Sequence, residues 1–101
     1  MEKEKRKIIW GKRATNQLVK IFDYIAADSF QNAEKVVDSI EAQVHLLSQN
    51  PERYPADKYK RDNDGSYRVF TKYRYRIVYR ITEHSIKIIR IRHTGRKNSM
   101  Y

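Results

Sequence analysis

Arginine and lysine recur at nearly every second position between Tyr67 and His93. A guanidinium group binds phosphate or carboxylate through two parallel hydrogen bonds, and alternate residues of a strand share one face of a sheet. From Tyr67 onward the chain carries ten of its 22 basic residues and only one of its 12 acids, Glu83. Nearly all of the net charge of +10 therefore lies in this last third. The pattern predicts a surface that binds an anionic partner, either nucleic acid or an acidic protein segment.

Alternation divides the predicted strand 73–82 between an apolar face and a basic face. Tyr75, Ile77 and Tyr79 share the first face, and Arg76 and Arg80 share the second. Like charges on neighbouring strands destabilise a sheet, so a sheet that tolerates them is expected to meet an anion. The alternative is a solvated face on which the aliphatic parts of arginine cover a thin core. The predicted anion- or partner-binding residues are Arg68, Lys72, Arg74, Arg76, Arg80, Arg90 and Arg92.

The rest of the chain predicts the elements that position this basic face. Residues 7–10 form a short apolar strand, and apolar spacing of i, i+4, i+7 predicts a helix over 12–28. Ser29 is the predicted N-cap of a second helix, which ends at Asn50-Pro51 because the residue before proline is pushed out of the helical region. Three strands follow at 67–72, 73–82 and 85–93.

The connections complete the predicted fold. Residues 51–66 contain two prolines and a glycine and form a loop whose length suggests a function of its own. Glu83-His84 alone separates the last two strands, which predicts a tight hairpin. Alternation slips near Ile88, which predicts a bulge or an apolar rim, with Ile89 and Ile91 in the core. We expect one domain over 1–101 with an α+β, two-layer, β-α-α-β-β-β fold. Its antiparallel sheet is packed on one face by an α-helical hairpin and has the first strand at an edge.

Several classes of site are excluded by composition. The chain has no cysteine, which removes disulfides and thiolate chemistry. Its three histidines lack metal-ligand spacing, and no glycine-rich phosphate loop is present, so no metal and no cofactor are expected. The start is charged and no apolar run approaches the roughly 20 residues of a membrane span, so a cytoplasmic protein is expected.

A set of ordered motifs covers nearly the whole chain. They are Ala14-x3-Leu18-x2-Ile21-x2-Tyr24-Ile25, Leu47-x3-Pro51-Glu52-Arg53-Tyr54-Pro55, Tyr67-Arg68-Val69-Phe70, Tyr75-Arg76-Ile77-Val78-Tyr79 and Ile89-Arg90-Ile91-Arg92-His93. With these motifs the chain resembles the RelE/ParE superfamily of bacterial toxins from type II toxin–antitoxin modules. The resemblance implies the same fold and a growth-inhibiting toxin. It also implies a cognate antitoxin that neutralises the toxin by wrapping it as helix or strand.

Two activities occur in this superfamily. ParE-like members inhibit DNA gyrase and need no catalytic site, whereas RelE-like members are metal-independent ribonucleases that cut mRNA on the ribosome. Cleavage by 2′-OH attack needs a base for that hydroxyl, cations for the phosphorane charge and an acid for the leaving oxygen. If the protein is a ribonuclease, the resemblance and this chemistry make the candidate catalytic residues Arg76, Arg92, His93, Arg96 and Tyr101.

The motifs favour the ParE-like side. RelE-like members carry two lysines, two residues apart, on the strand before the one that bears Arg76, and these positions are Tyr67 and Val69 here. The Ile-Arg-Ile-Arg-His ending is also more similar to ParE. The predicted function is therefore a toxin that inhibits DNA gyrase. The alternatives are a RelE-like ribonuclease and a non-toxic module on the same fold that binds nucleic acid or protein.

Overall fold

A mixed four-stranded sheet carries two helices on one face in the computed structural model, which describes residues 5–95. The strand order is β1-β4-β3-β2. The elements are β1 Lys7–Trp10, α1 Lys12–Ala26, α2 Phe30–His45, a 3₁₀ turn Leu46–Ser48, β2 Tyr67–Lys72, β3 Tyr75–Ile81 and β4 Ser85–His93. The predicted fold class is confirmed. Within residues 5–95, no helix is both long enough and apolar enough to cross a bilayer.

Local signals explain where the two helices begin and end. The Ser29 hydroxyl accepts a hydrogen bond from Asn32 N at 3.2 Å, which confirms the predicted N-cap of α2. α1 begins after Gly11, whose extended backbone stands at the N-cap. The α-helical part of α2 ends at His45, and a 3₁₀ turn leads towards Pro51. The helices cover the sheet because their apolar stripes face it.

The orientation of β1 differs from the predicted antiparallel sheet. β2, β3 and β4 form the expected antiparallel meander, but β1 pairs with β4 in parallel, from Lys7 opposite Ser85 to Trp10 opposite Ile88. Parallel neighbours need a long crossover connection, and the helical hairpin lies within the segment that links these two strands. The sheet is therefore mixed, with β1 at the predicted edge position.

A bulge in β4 changes which of its residues face the helices. Val78 lies opposite Arg90, but the next residue, Tyr79, lies opposite Ile88, so Ile89 is the extra residue. The predicted slip in alternation is thus a bulge. The prediction that Ile89 is a core residue is wrong, because Ile88 is fully buried in its place and Ile89 is half-buried.

The core lies between the helices and the inner face of the sheet. Its largest fully buried side chain is Tyr79, which packs with Ile40, Leu47 and Ile77. The Tyr79 hydroxyl donates a hydrogen bond to the Pro51 carbonyl oxygen at 2.7 Å. Burial raises the pKa of Tyr79 to about 12, because the phenolate would lose its hydration in this core.

We expect the phenol of Tyr79 to make folding stability depend on alkaline pH. Below pH 10 the phenol is neutral in both states, whereas between about pH 10 and 12 it ionises only in the unfolded chain, so stability falls as pH rises. The contribution is on the order of 2–3 kcal/mol for a shift of this size. Tyr79→Phe should flatten that fall, while costing about 1 kcal/mol at pH 7 for the lost hydrogen bond.

Urea unfolding between pH 7 and 12 measures this difference. Tyr24→Phe is the matched control, since it makes the same substitution at a tyrosine that is 65% exposed and should retain the parent's alkaline loss. A Tyr79→Phe variant that loses stability above pH 10 as steeply as the parent would contradict the assignment.

Candidate anion-binding site

The long loop follows the outer edge of β2 instead of lying apart from the sheet. Asp57 N donates to Tyr67 O at 2.8 Å, Val69 N donates to Pro55 O at 3.2 Å, and Ala56 forms an antiparallel bridge with Arg68. Residues 55–57 therefore cover the β2 edge as a very short additional strand. Because side chains alternate, this pairing carries Asp57 to the face of the sheet opposite the helices, here called the outer face.

Arg76 is buried on the outer face and paired with that aspartate. Its Nη2 lies 2.6 Å from Asp57 Oδ1, and the two residues are 9% and 2% exposed. The same carboxylate oxygen accepts from Tyr59 N at 3.0 Å, and the Arg76 guanidinium lies 5.1 Å from the centre of the Tyr59 ring. Asp57 therefore neutralises the cation that sequence alternation placed on an open surface. The length of the loop was the only sequence signal for this pairing.

Arg68 and Lys72 do not lie on the outer face, and that prediction is wrong. Arg68 pairs with Tyr79 and Lys72 with Tyr75, so both side chains leave the sheet on the helix side. Arg68, Phe70 and Lys72 share one face of β2. Because Phe70 is buried in the core, that face meets the helices, and the prediction had assigned it to the outer side. The Arg68 guanidinium donates to the carbonyl oxygens of Gly65 at 3.0 Å and Tyr54 at 2.8 Å. Arg68 is thus a structural residue that holds the loop.

The other predicted cations are divided by exposure. Arg92 lies directly opposite Arg76, and both Arg90 and Arg92 are half-buried on the outer face. Arg80 is exposed there, and Arg74 is exposed in the turn between β2 and β3. The residue opposite Arg80 is the exposed Lys87, which is not among the predicted binding residues. The bulge at Ile89 brings it to the outer face.

The candidate catalytic residues are not brought together as one set. Arg76 and Arg92 are cross-strand neighbours on the outer face, whereas His93 lies opposite Tyr75, on the helix side. The His93 ring meets the Tyr75 ring edge-on at 5.1 Å, and its Nδ1 accepts a hydrogen bond from Gly95 N at 3.0 Å. Arg96 and Tyr101 lie outside the described residues.

The exposed cations of the outer face are chemically suited to anions, and the described residues of the site offer no metal centre. Between residues 5 and 95 no group of three carboxylate or imidazole side chains could hold a metal ion. The exposed outer-face cations lie on rigid strands and can donate to phosphate or carboxylate oxygens. A catalytic role of any of these residues stays a prediction.

Comparison with known proteins agrees with the fold and the motifs. The family model described as "ParE toxin of type II toxin-antitoxin system, parDE" matches residues 8–98. The search against curated proteins gives no match.

Three solved structures illustrate the likeness. A structure of the chromosomal ParDE toxin–antitoxin system of P. aeruginosa is 22% identical, with a TM-score of 0.73 over 89% of this chain and 97% of the other. The toxin–antitoxin complex RelBE2 of Mycobacterium tuberculosis is 22% identical, with a TM-score of 0.60 over 91% and 94%. The YoeB dimer of Staphylococcus aureus is 17% identical, with a TM-score of 0.58 over 88% and 97%. At these identities the structures support the fold, and the family model over residues 8–98 confirms the expected superfamily.

We expect Asp57→Asn to destabilise the protein by about 3 kcal/mol, because it leaves the buried Arg76 charge without its carboxylate. The amide oxygen can still accept from Tyr59 N, so the loss reports charge pairing more than turn geometry. Chemical unfolding at pH 7 measures the change. Asp62→Asn, in the exposed part of the same loop, is the control and should stay within about 0.5 kcal/mol of the parent. Equal effects of the two substitutions would contradict a stabilising role for the ion pair.

Proposed function

We propose that this chain, which belongs to the ParE toxin family and is the toxin of a type II toxin–antitoxin system, arrests growth by inhibiting DNA gyrase. The family match over residues 8–98 is the observation that carries the proposal. Inhibition by binding requires a complementary surface and no proton-transfer groups. The single domain described above exposes apolar side chains on its helices as well as cations on its outer face, and a complementary surface can be built from them.

The placement of the candidate catalytic residues supports binding over RNA cleavage. General acid–base cleavage needs the base, the acid and the cations around one phosphate. Here His93 lies on the opposite face of the sheet from Arg76 and Arg92. The Arg76 charge is engaged by Asp57 at 2.6 Å, which weakens its ability to stabilise a second anion. The positions of the RelE-like lysine pair are occupied by Tyr67 and Val69.

A ribosome-dependent ribonuclease is the second candidate, and one observation favours it. Arg76 and Arg92 are directly opposite each other on neighbouring strands of the outer face. Two guanidinium groups so placed can stabilise the dianionic phosphorane of 2′-OH attack. Arg96 and Tyr101 are the further residues that this reaction would recruit, by resemblance.

A cognate antitoxin is the proposed protein partner. Its binding segment should be acidic or amphipathic, because the toxin carries a net charge of +10 and exposes apolar side chains on its helices. Val19 and Phe30 are 55% and 59% exposed, and the Phe30 ring meets Phe22 edge-on at 5.4 Å. The solved neighbours from P. aeruginosa and M. tuberculosis are described as a toxin–antitoxin system and a toxin–antitoxin complex.

Induction of the chain should arrest growth, and co-expression of its cognate antitoxin should restore growth. Purified toxin should block DNA supercoiling by gyrase, because the toxin acts by occupying its target. His93→Ala should inhibit supercoiling as well as the parent does, since no proton transfer is required.

Two assays separate the candidates. Supercoiling is measured on a relaxed plasmid, and mRNA cleavage at the ribosomal A site is measured by primer extension in a translation extract. Normal supercoiling at saturating toxin, together with A-site cuts that disappear in Arg92→Ala, would replace gyrase inhibition with the ribonuclease. Absence of growth arrest on induction would favour the non-toxic binding module.

A further inference from the structure

The outer face carries a straight row of side chains across all four strands. Tyr67 lies opposite Arg80, Arg80 opposite Lys87, and Lys87 opposite Ile9. Paired residues on neighbouring strands point to the same face, and strands lie about 4.8 Å apart, so the row is roughly 14 Å long. Arg80 and Lys87 are both exposed at its centre. We call Tyr67, Arg80 and Lys87, together with Lys60 of the long loop, the cationic row; Ile9 lies at its end on β1.

Tyr67 holds two of these cations in position. The Lys60 ammonium lies 4.8 Å and the Arg80 guanidinium 5.0 Å from the centre of its ring. Both distances are within the range of cation–π attraction. Because these cations cover the ring, Tyr67 is better placed to fix the conformations of the Lys60 and Arg80 side chains than to stack on a nucleic-acid base. Ordering two long side chains in advance reduces the entropy that binding must cost.

The positive charge of the row is only partly offset by acids within the described residues. Neither Arg80 nor Lys87 forms an ion pair between residues 5 and 95, although they are like charges placed directly opposite each other. That arrangement is unfavourable for folding, so a ligand that relieves it gains binding energy. Asp64 interacts electrostatically with the row. Hydrogen bonding by Ser66 lowers the pKa of Asp64, and the positive charge of Arg80 lowers it further.

The composition of the row favours nucleic acid over a folded protein. Protein interfaces have an apolar, desolvated core that is depleted in charged residues. The centre of this row is two cations, and its only exposed large apolar residue is Ile9, which is 39% exposed at the end. Affinity for duplex DNA comes mainly from cations that displace counterions from phosphates, and it needs no apolar centre.

We propose that the cationic row binds the phosphate backbone of duplex DNA without base specificity. This inference extends the proposed function, because gyrase acts while it holds DNA, and the row would let the toxin contact that DNA as well as the enzyme. The proposed binding of DNA phosphates depends only on the residues of the row, so it is tested in the absence of gyrase. Failure of DNA binding and failure of gyrase inhibition are therefore separate outcomes.

The experiment measures binding of the full chain to a fluorescent 20-base-pair duplex by anisotropy between 50 and 200 mM NaCl. The logarithm of the association constant should fall linearly with the logarithm of salt concentration. Arg80→Gln with Lys87→Gln should reduce the slope by about 2 and weaken binding at 100 mM salt about tenfold or more. Tyr67→Leu should weaken binding with little change in slope, and Tyr67→Phe should restore it, because the ring only positions the cations.

The matched control is Lys20→Gln with Lys35→Gln, which removes the same charge from exposed positions on α1 and α2. Unchanged binding by the row variant, or equal losses in the row and control variants, would overturn the proposal. Polyglutamate of the same charge is the second probe. If it displaces the duplex from the parent as readily as unlabelled DNA does, the row is an acidic-peptide site and the assignment to DNA is wrong.

Discussion

The ion pair between Arg76 and Asp57 is the interaction on which the rest of the outer face depends. An arginine that is 9% exposed must keep a charged partner, because an unpaired buried charge is strongly unfavourable. That requirement fixes the loop segment 55–57 against β2, where it also covers the backbone groups of an otherwise open sheet edge. Arg68 holds the same loop from the helix side, through the carbonyl oxygens of Gly65 and Tyr54.

The basic residues of the last third therefore have different tasks. Arg68 and Arg76 hold the loop in place. Arg68 donates to backbone carbonyl oxygens, and Arg76 forms an ion pair with the Asp57 carboxylate. Arg80 and Lys87 remain exposed on rigid strands, where they are available to a phosphate or a carboxylate of another molecule. A concentration of charge that appears continuous along the chain is thus divided by the fold into a structural part and an exposed part.

This division matters for activity. One fold serves both gyrase inhibition and RNA cleavage in this superfamily, so the fold alone does not determine the activity and the residues of the site do. The solved relatives, at 17–22% identity, share the fold. A ribonuclease needs its base, its acid and its cations around one phosphate, whereas inhibition by binding needs no such set. In this chain the pairing of Arg76 and the position of His93 on the helix side support inhibition by binding.

Local patterns were sufficient for the order of the elements, the Ser29 cap, the slip near Ile88 and the superfamily, because helix and strand periods and the family motifs are local properties of the chain. The faces of β2 and the exposure of Arg76 were mispredicted. Alternation says which residues share a face but not which face meets the helices, and only the register of β2 against β3 decides that. The partnership of Asp57 with Arg76, 19 residues apart, and the arrival of Lys87 beside Arg80 both depend on how strands pair. Such long-range pairing is decided by packing of the whole domain, and the tertiary structure alone provides it.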